Sequence, residues 1–196
     1  MMNDFKVFLG DKQLNLSDET IERLDNFAHL LNEWNQIHNL TGAKNIIEIY
    51  ENIIDSIYPI TFVDKPKSML DVGTGAGFPG LALGIVWDQS QCVLCEPINK
   101  RASFLKYAAI ELGAKNISVA KMRVEDFTHK PFDLITSRAV TDTSLLLSLT
   151  KHLSGSYTGY LFYKGERVFD EIEAASHQLK YDIVSRDKRN YLWIKQ

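Results

Sequence analysis

From Ser17 to about Gly42, apolar residues fall at Ile21, Leu24, Phe27, Leu31 and Trp34. Steps of three and four place them on one face of a helix. Ser17 is a natural N-cap for it, and Asp18 and Glu19 put negative charge in the first turn, where the helix dipole favours it. A second helix carries the stripe Ile46, Ile49, Ile53 and Ile57, with Pro59 near its end. After Pro66 the period shortens. Apolar strands at Ser68 to Val72, Gln91 to Glu96, Ile117 to Lys121, Phe132 to Ser137 and Gly159 to Tyr163 alternate with helical stretches. Asn99 is placed to cap the helix that Gly113 ends, Asp142 to cap one closing near Leu153, and Glu166 to Leu179 supplies another. Tyr181 to Val184 and Tyr191 to Ile194, around a polar turn, read as an antiparallel pair. Strand and helix in alternation imply parallel strands joined by right-handed crossovers. The expected fold class is therefore α/β: a doubly wound, seven-stranded, mostly parallel Rossmann-like sheet over residues 66–196, carrying an N-terminal helical appendage over residues 1–65.

Composition narrows the setting. Hydrophobic residues make up 45% and charged residues 24%, the balance of a soluble globular chain. No apolar run approaches the roughly 20 residues a bilayer span needs, and the start MMNDFKVFLGDKQ lacks the features of a signal peptide, so no membrane partner and a cytoplasmic location are expected. The only cysteines, Cys92 and Cys95, sit at strand positions that project to opposite faces, which argues against a disulfide, and they offer too few ligands for a metal. The five histidines show no ligand spacing. With 22 Lys and Arg against 25 Asp and Glu, the net charge is -3, unlike a non-specific nucleic-acid binder. Any RNA contact must use local patches: Lys100, Arg101 and Lys106; Lys121 and Arg123; Arg186, Lys188 and Arg189.

The chemistry concentrates in Asp71-Val-Gly73-Thr-Gly75-Ala-Gly77-Phe78-Pro79-Gly80, where the first strand of the sheet runs into a helix. Glycines at alternate positions let the backbone take positive φ and approach a ligand closely. Gly75 to Gly80 also fits the G-x-G-x-x-G pattern of dinucleotide folds. Pro79, read as the first helical residue, removes a donor that a pyrophosphate would use, while the Asp71 carboxylate suits the ammonium of a methionine moiety. The balance favours S-adenosyl-L-methionine. Glu96, ending the second strand, is placed to accept the ribose hydroxyls, and the loop after the third strand, at Val124 and Glu125, to meet the adenine. Arg138 ends the fourth strand at the ligand-binding edge, and Lys164 with Gly165 follows the fifth. No Asn/Asp-Pro-Pro-aromatic segment for amine methylation and no cysteine nucleophile stands near Arg138. A ring nitrogen with a free lone pair, such as guanine N7, needs only alignment with the methyl group. Candidate catalytic residues are Arg138, Lys164 and Arg123; candidate cofactor contacts are Asp71, Gly73, Gly75, Gly77, Phe78, Glu96, Val124, Glu125 and Arg138.

These motifs, in order, resemble the bacterial glucose-inhibited division protein B family, methyltransferases that modify a guanine at N7 in small-subunit ribosomal RNA. The resemblance runs from about Leu30 to Glu171 and rests on Leu30-Leu-Asn-Glu-Trp-Asn35, Asn39-Leu-Thr41, Asp55-Ser56, the glycine turn, Lys100-Arg101, Phe104-Leu105, Arg123-Val-Glu125, Phe132-Asp133, Ser137-Arg-Ala139 and Lys164-Gly165. It implies cofactor contacts at Gly73, Phe78, Val124, Glu125 and Arg138, and RNA contacts at Asn39, Arg101, Arg123 and Lys164, in a monomer acting on rRNA in the small subunit or an assembly intermediate. Three departures stand out. The family usually has a histidine shortly before the Asp-Ser pair, where this chain has Asn52-Ile53-Ile54; it ends the second strand with Asp, not Glu96; and it often has an aromatic where Val140-Thr141-Asp142 follow Ala139. The alternatives are a nicotinamide-dependent oxidoreductase using Gly75 to Gly80, and a non-catalytic RNA-binding assembly factor on the same fold.

Overall fold

A computed structural model describes residues 4–10, 14–174, 180–187 and 189–195. The strands are β1 (Ser68–Val72), β2 (Gln91–Cys95), β3 (Ile117–Ala120), β4 (Leu134–Arg138), β5 (Gly159–Lys164), β6 (Lys180–Arg186) and β7 (Arg189–Lys195). They form one sheet in the order β3-β2-β1-β4-β5-β7-β6, parallel throughout except that β7 runs antiparallel to both β5 and β6. The helices are α1 (Asp4–Leu9), α2 (Asp18–His38), α3 (Ile46–Ile57), α4 (Gly80–Val86), α5 (Asn99–Glu111), α6 (Thr143–Thr150) and α7 (Val168–Ala174). Between β1 and β4 the chain reverses its direction of travel across the sheet, so the crevice beyond their carboxyl ends is where a doubly wound sheet receives a ligand.

Every residue of β1 is buried, because the strand is central and covered on both faces. Its side chains alternate. Met69 joins Cys92, Leu94, Leu134 and Leu161 in a core that also contains Phe27, Leu31, Ile49 and Ile53 of α2 and α3, Leu81 of α4 and Phe104 of α5. Leu70 and Val72 turn to the other face with Val93, Ile135, Phe162 and Leu192, under Leu146 of α6 and Val168 of α7. The N-terminal helices thus share one core with the sheet. Burying a side chain the size of Phe27 contributes about 2–3 kcal/mol, so this shared face is a major stabilising contact.

Several boundaries differ from the sequence expectation. α2 stops at His38 instead of reaching Gly42: Asn39 takes a left-handed conformation (φ 48°), and the Asn35 side chain accepts from Thr41 N (2.8 Å) and donates to Ala43 O (3.0 Å), which fixes the exit turn. Asn99 lies inside α5 and does not cap it; the N-cap is Ile98, and Asn99 Oδ1 accepts from Lys121. Pro79 is the N-cap of α4, which begins at Gly80. The helix expected to Leu179 is described to Ala174, and residues 175–179 lie outside the described residues. α1 was not among the expected elements. Ser17 and Asp142 cap α2 and α6 as the pattern implied, accepting from Thr20 N and Leu145 N.

Gly80 packs where no side chain fits: a Cβ there would lie 2.5 Å from Asp71 Cβ and from Leu94 Cδ2, whereas one at Gly42 would meet nothing within 4 Å. Gly80→Ala is expected to lower stability by about 2–3 kcal/mol in urea unfolding, and Gly42→Ala by less than ~0.5 kcal/mol. Equal midpoints for the two variants would contradict this packing.

Candidate active site

The glycine turn is held from beneath. Gly73, Gly75 and Gly77 take φ of 66°, 60° and 104°, conformations that side-chain-bearing residues rarely adopt. The turn's N-H groups point inward: Gly73 N and Thr74 N donate to Cys95 O, Gly75 N to Glu96 Oε2, Gly77 N and Phe78 N to Thr74 O, and Gly80 N to Asp71 Oδ2. A pyrophosphate cradle needs such donors free at the helix N-terminus. Here those of Gly73, Thr74, Gly75, Gly77, Phe78 and Gly80 are spent inside the protein, and Pro79 has none to offer. That leaves the turn poor in donors for the anion of a dinucleotide.

Above the turn lies a cleft of about 410 Å³. Gly73, Gly75, Phe78, Glu96 and Arg138 line it, joined by Thr41 from the α2–α3 connection, Arg101 of α5, and Ala139 and Val140 after β4. Thr41 and Ala139–Val140 were not among the site residues expected from the sequence, where they entered only through the resemblance: Thr41 and Ala139 within matching segments, Val140 at a departure from them. Glu96 is buried; Oε2 accepts from Gly75 N and Oε1 from Ile98 N, both at 2.9 Å. Each oxygen keeps a second lone pair for a hydroxyl. Arg138 reaches back to α3, where Nη1 donates to Asn52 Oδ1 (3.1 Å) and Asp55 Oδ2 (3.2 Å), and its guanidinium lies 4.8 Å from the centre of the Phe78 ring. Arg101 Nε is buried with no hydrogen-bond partner among the described residues. An orphaned donor in the wall, an acid at the second strand's end and a side-chain-free turn fit a ligand with a ribose and a polar amino-acid end.

The other expected site residues lie elsewhere. Gly77 does not line the cleft: a Cβ there would strike Leu81 at 2.9 Å and Phe27 at 3.1 Å, so its lack of a side chain serves helix packing. Asp71 lies fully buried under Gly80 and does not line the cleft, so its carboxyl meets the turn's backbone where an ammonium contact was expected. Val124 is buried and Glu125 exposed in a turn of 3-10 helix beyond β3; neither lines the cleft. Arg123 is exposed just before that turn. Lys164 is buried; its Nζ donates to Glu171 Oε2 (2.7 Å) and Thr141 O (3.0 Å). It lines a separate, larger cavity of about 1040 Å³ together with Tyr163, Glu171 and Arg189. That cavity meets the cleft at Ala139 and Val140, which line both. Of the basic patches, Lys100 donates to His38 O and Asn39 O at the end of α2, Arg186 stacks on Tyr58, Arg189 pairs with Asp55, and Lys188 lies outside the described residues.

Burial pushes the Asp71 carboxyl up from 3.8 to about 7, against the opposing pull of the Gly80 N-H and the Arg138 charge. Burial also pushes the Cys95 thiol up to about 12 and raises Cys92 well above its usual range, so neither supplies a thiolate. No group of three or more metal-ligating side chains occurs among the described residues.

The glycine turn with its acids, at the carboxyl edge of a sheet whose last strand runs antiparallel, defines the class I methyltransferase fold. Solved structures share it at the level of fold alone. A methyltransferase from Geobacter sulfurreducens, 10% identical, superposes with a TM-score of 0.62 over 96% of this chain and 93% of its own. A SAM-dependent methyltransferase from Aquifex aeolicus, 17% identical, gives 0.59 over 74% and 90%. Residues 20–191 match the family described as GidB, rRNA small subunit methyltransferase G, and the chain belongs to that family. Among its relatives named ribosomal RNA small subunit methyltransferase G, that of Wolinella succinogenes is 46% identical over 192 residues, covering 98% of both chains. That of Aliarcobacter butzleri is 46% identical over 187 residues, 95% of this chain and 96% of its own. No helix among the described residues is long and apolar enough to cross a membrane.

Because the folded state raises the Asp71 pKa, it binds that proton more tightly than the unfolded chain does. The resulting stabilisation is complete below about pH 4 and lost as the pH rises to about 7. Asp71→Asn keeps an acceptor for Gly80 N and cannot titrate. The stability of wild type relative to Asp71→Asn is therefore expected to fall by up to ~4 kcal/mol between pH 4 and 7 and to level off above. A difference independent of pH across that window, measured by denaturant unfolding, would refute the raised pKa.

Proposed function

We propose that this chain transfers a methyl group from S-adenosyl-L-methionine to guanine N7 in small-subunit ribosomal RNA, acting as a cytoplasmic monomer on the subunit or an assembly intermediate. The observation that carries this reading is the wall at Ala139 and Val140, where a cleft suited to the methyl donor adjoins a cavity large enough for a nucleobase. The bound cofactor supplies an electrophilic methyl group on a sulfonium. Around it, the bare backbone at Gly73 and Gly75 allows close approach, Glu96 accepts from the ribose hydroxyls, Phe78 packs against the ligand, and Arg138 faces its carboxylate. Val124 and Glu125 stand on the adenine side.

Beside the methyl donor no free base lines the cleft among the described residues, which favours a ring nitrogen; the carboxylates of Asp142, Glu166, Asp170 and Glu171 belong to the adjoining cavity. Among the described residues lining the cleft, the only carboxylate is Glu96, whose two oxygens already bind backbone N-H groups, and both cysteine thiols are deeply buried and bonded inward. N7 of guanine attacks with a lone pair, and the positive charge passes from sulfur to the ring without loss of a proton. The protein need only align donor and acceptor. Lys164, held beside Glu171, faces the acceptor cavity, and Asn39, Arg101 and Arg123 offer contacts for the RNA around it. Residues 1–65 serve residues 66–196 by closing the cleft with Leu40, Thr41 and Gly42. The inward-turned N-H groups favour this cofactor over a nicotinamide dinucleotide.

Incubation of the protein with labelled cofactor and small-subunit rRNA or subunits, followed by chemical cleavage at N7-methylguanosine and reverse transcription, is expected to map transfer to a single guanine. Label at a carbon or an exocyclic amine, or none at all, overturns the N7 assignment.

Gly75→Val is expected to abolish binding of S-adenosylhomocysteine in calorimetry. A β-branched residue resists φ of 60°, although a Cβ there would find room, 3.9 Å from Gly73 O. The circular-dichroism helix signal should persist. Binding within threefold of wild type would contradict the role of this position.

A further inference from the structure

An arginine at a strand end has a long, rotatable side chain, yet Arg138 is held from α3 by two neighbouring acceptors, Asn52 Oδ1 and Asp55 Oδ2, both engaging Nη1. Nη1 has two hydrogens, and both are taken. What remains is the Nε–Nη2 edge, the parallel pair of donors that matches a carboxylate bidentately, and it has no partner among the described residues. We propose that Asn52 and Asp55 form a positioning clamp that aims this edge of Arg138 at the carboxylate of the bound cofactor, an inference that rests on the proposed S-adenosylmethionine site.

Charge and orientation both support it. Asp55 is shared: Arg189 Nε lies 3.0 and 3.1 Å from its two oxygens, and Tyr191 donates to Oδ1 at 3.0 Å. Two guanidiniums on one carboxylate leave the cluster net positive and attractive to an anion. A second carboxylate at position 52 would cancel that charge. Asn52 provides an acceptor without one, and its amide cannot turn around, because Nδ2 donates to Glu48 O at 2.7 Å and so directs Oδ1 at the arginine. Tyr163 and Tyr191 add no negative charge, since burial raises both phenols far above the physiological range. The Asn52 amide, which does not titrate, accepts at any pH.

Calorimetry with S-adenosylhomocysteine on the full chain tests the clamp. Asn52→Leu, an exchange a helix tolerates, is expected to weaken binding ~10-fold, and Asp55→Asn at least as much. Because the clamp acts through Arg138, Asn52→Leu should add less than twofold once Arg138→Met is present. Asn52→Leu that binds within twofold of wild type, or that adds its full loss to Arg138→Met, overturns the clamp. The controls separate the two readings: loss in Arg138→Met without loss in the clamp variants sinks the clamp alone, whereas Arg138→Met binding like wild type sinks the cofactor role of Arg138 along with it. Asp55 also ties down β7, so thermal midpoints are read in parallel, and Asn52→Leu decides the matter if Asp55→Asn does not fold.

Discussion

Two buried carboxyls under the glycine turn, Asp71 on Gly80 N and Glu96 on Gly75 N, hold the site together. A backbone that leaves strand geometry and enters a helix within a few residues must bond every N-H it turns away from water, or pay several kcal/mol for each. Strand-end acids answer this directly: Asp71 Oδ2 accepts from Gly80 N, and Glu96 accepts from Gly75 N and Ile98 N with its two oxygens. The arrangement carries its own penalty. Asp71 Oδ1 is buried without a partner, and its carboxyl resists ionisation. The turn is held from beneath by these sealed acids, and the N-H groups of Gly75 and Gly80 that they bind are turned away from an anionic ligand.

The second organising contact runs between the N-terminal helices and the far half of the sheet. Asp55 and Ser56 on α3 receive Arg138 from β4, Tyr163 from β5, and Arg189 and Tyr191 from β7. Three strands distant in sequence thereby take their position from one helical turn. Lys100 makes the matching contact at the other end of the layer, satisfying carbonyls at the close of α2 from α5. The cleft lies between these two ties.

Local pattern made much of this legible. All seven strands were visible from apolar runs bounded by polar or turn residues, most clearly the mostly buried β1, β2, β4, β5 and β7; the edge strands β3 and β6 have no fully buried residue. The glycine turn announced a cofactor site because its spacing demands positive φ. Long-range partners were not visible. Asp71 reads as a ligand contact until the structure shows Gly80 N folding back over it; Gly77 reads as ligand-facing until Phe27 is found against it, a residue 50 positions earlier in the chain. Arg138 was marked by its place at a strand end, but its partners Asn52 and Asp55 come from a helix that periodicity alone describes as an apolar stripe. Polar residues on the flank of such a stripe acquire meaning only when the fold supplies what faces them.

The core shared by α1 through α5 bears on how such a chain can change. Near Pro66 the composition shifts from helical to alternating, and that shift invites a cut. No cut is available in the packing: Phe27, Leu31, Ile49 and Ile53 are part of the interior that covers β1 and β2. The helical segment is therefore not a module that insertion, exchange or recombination can move from one methyltransferase to another, and any drift in its inner face has to be matched within the sheet it covers.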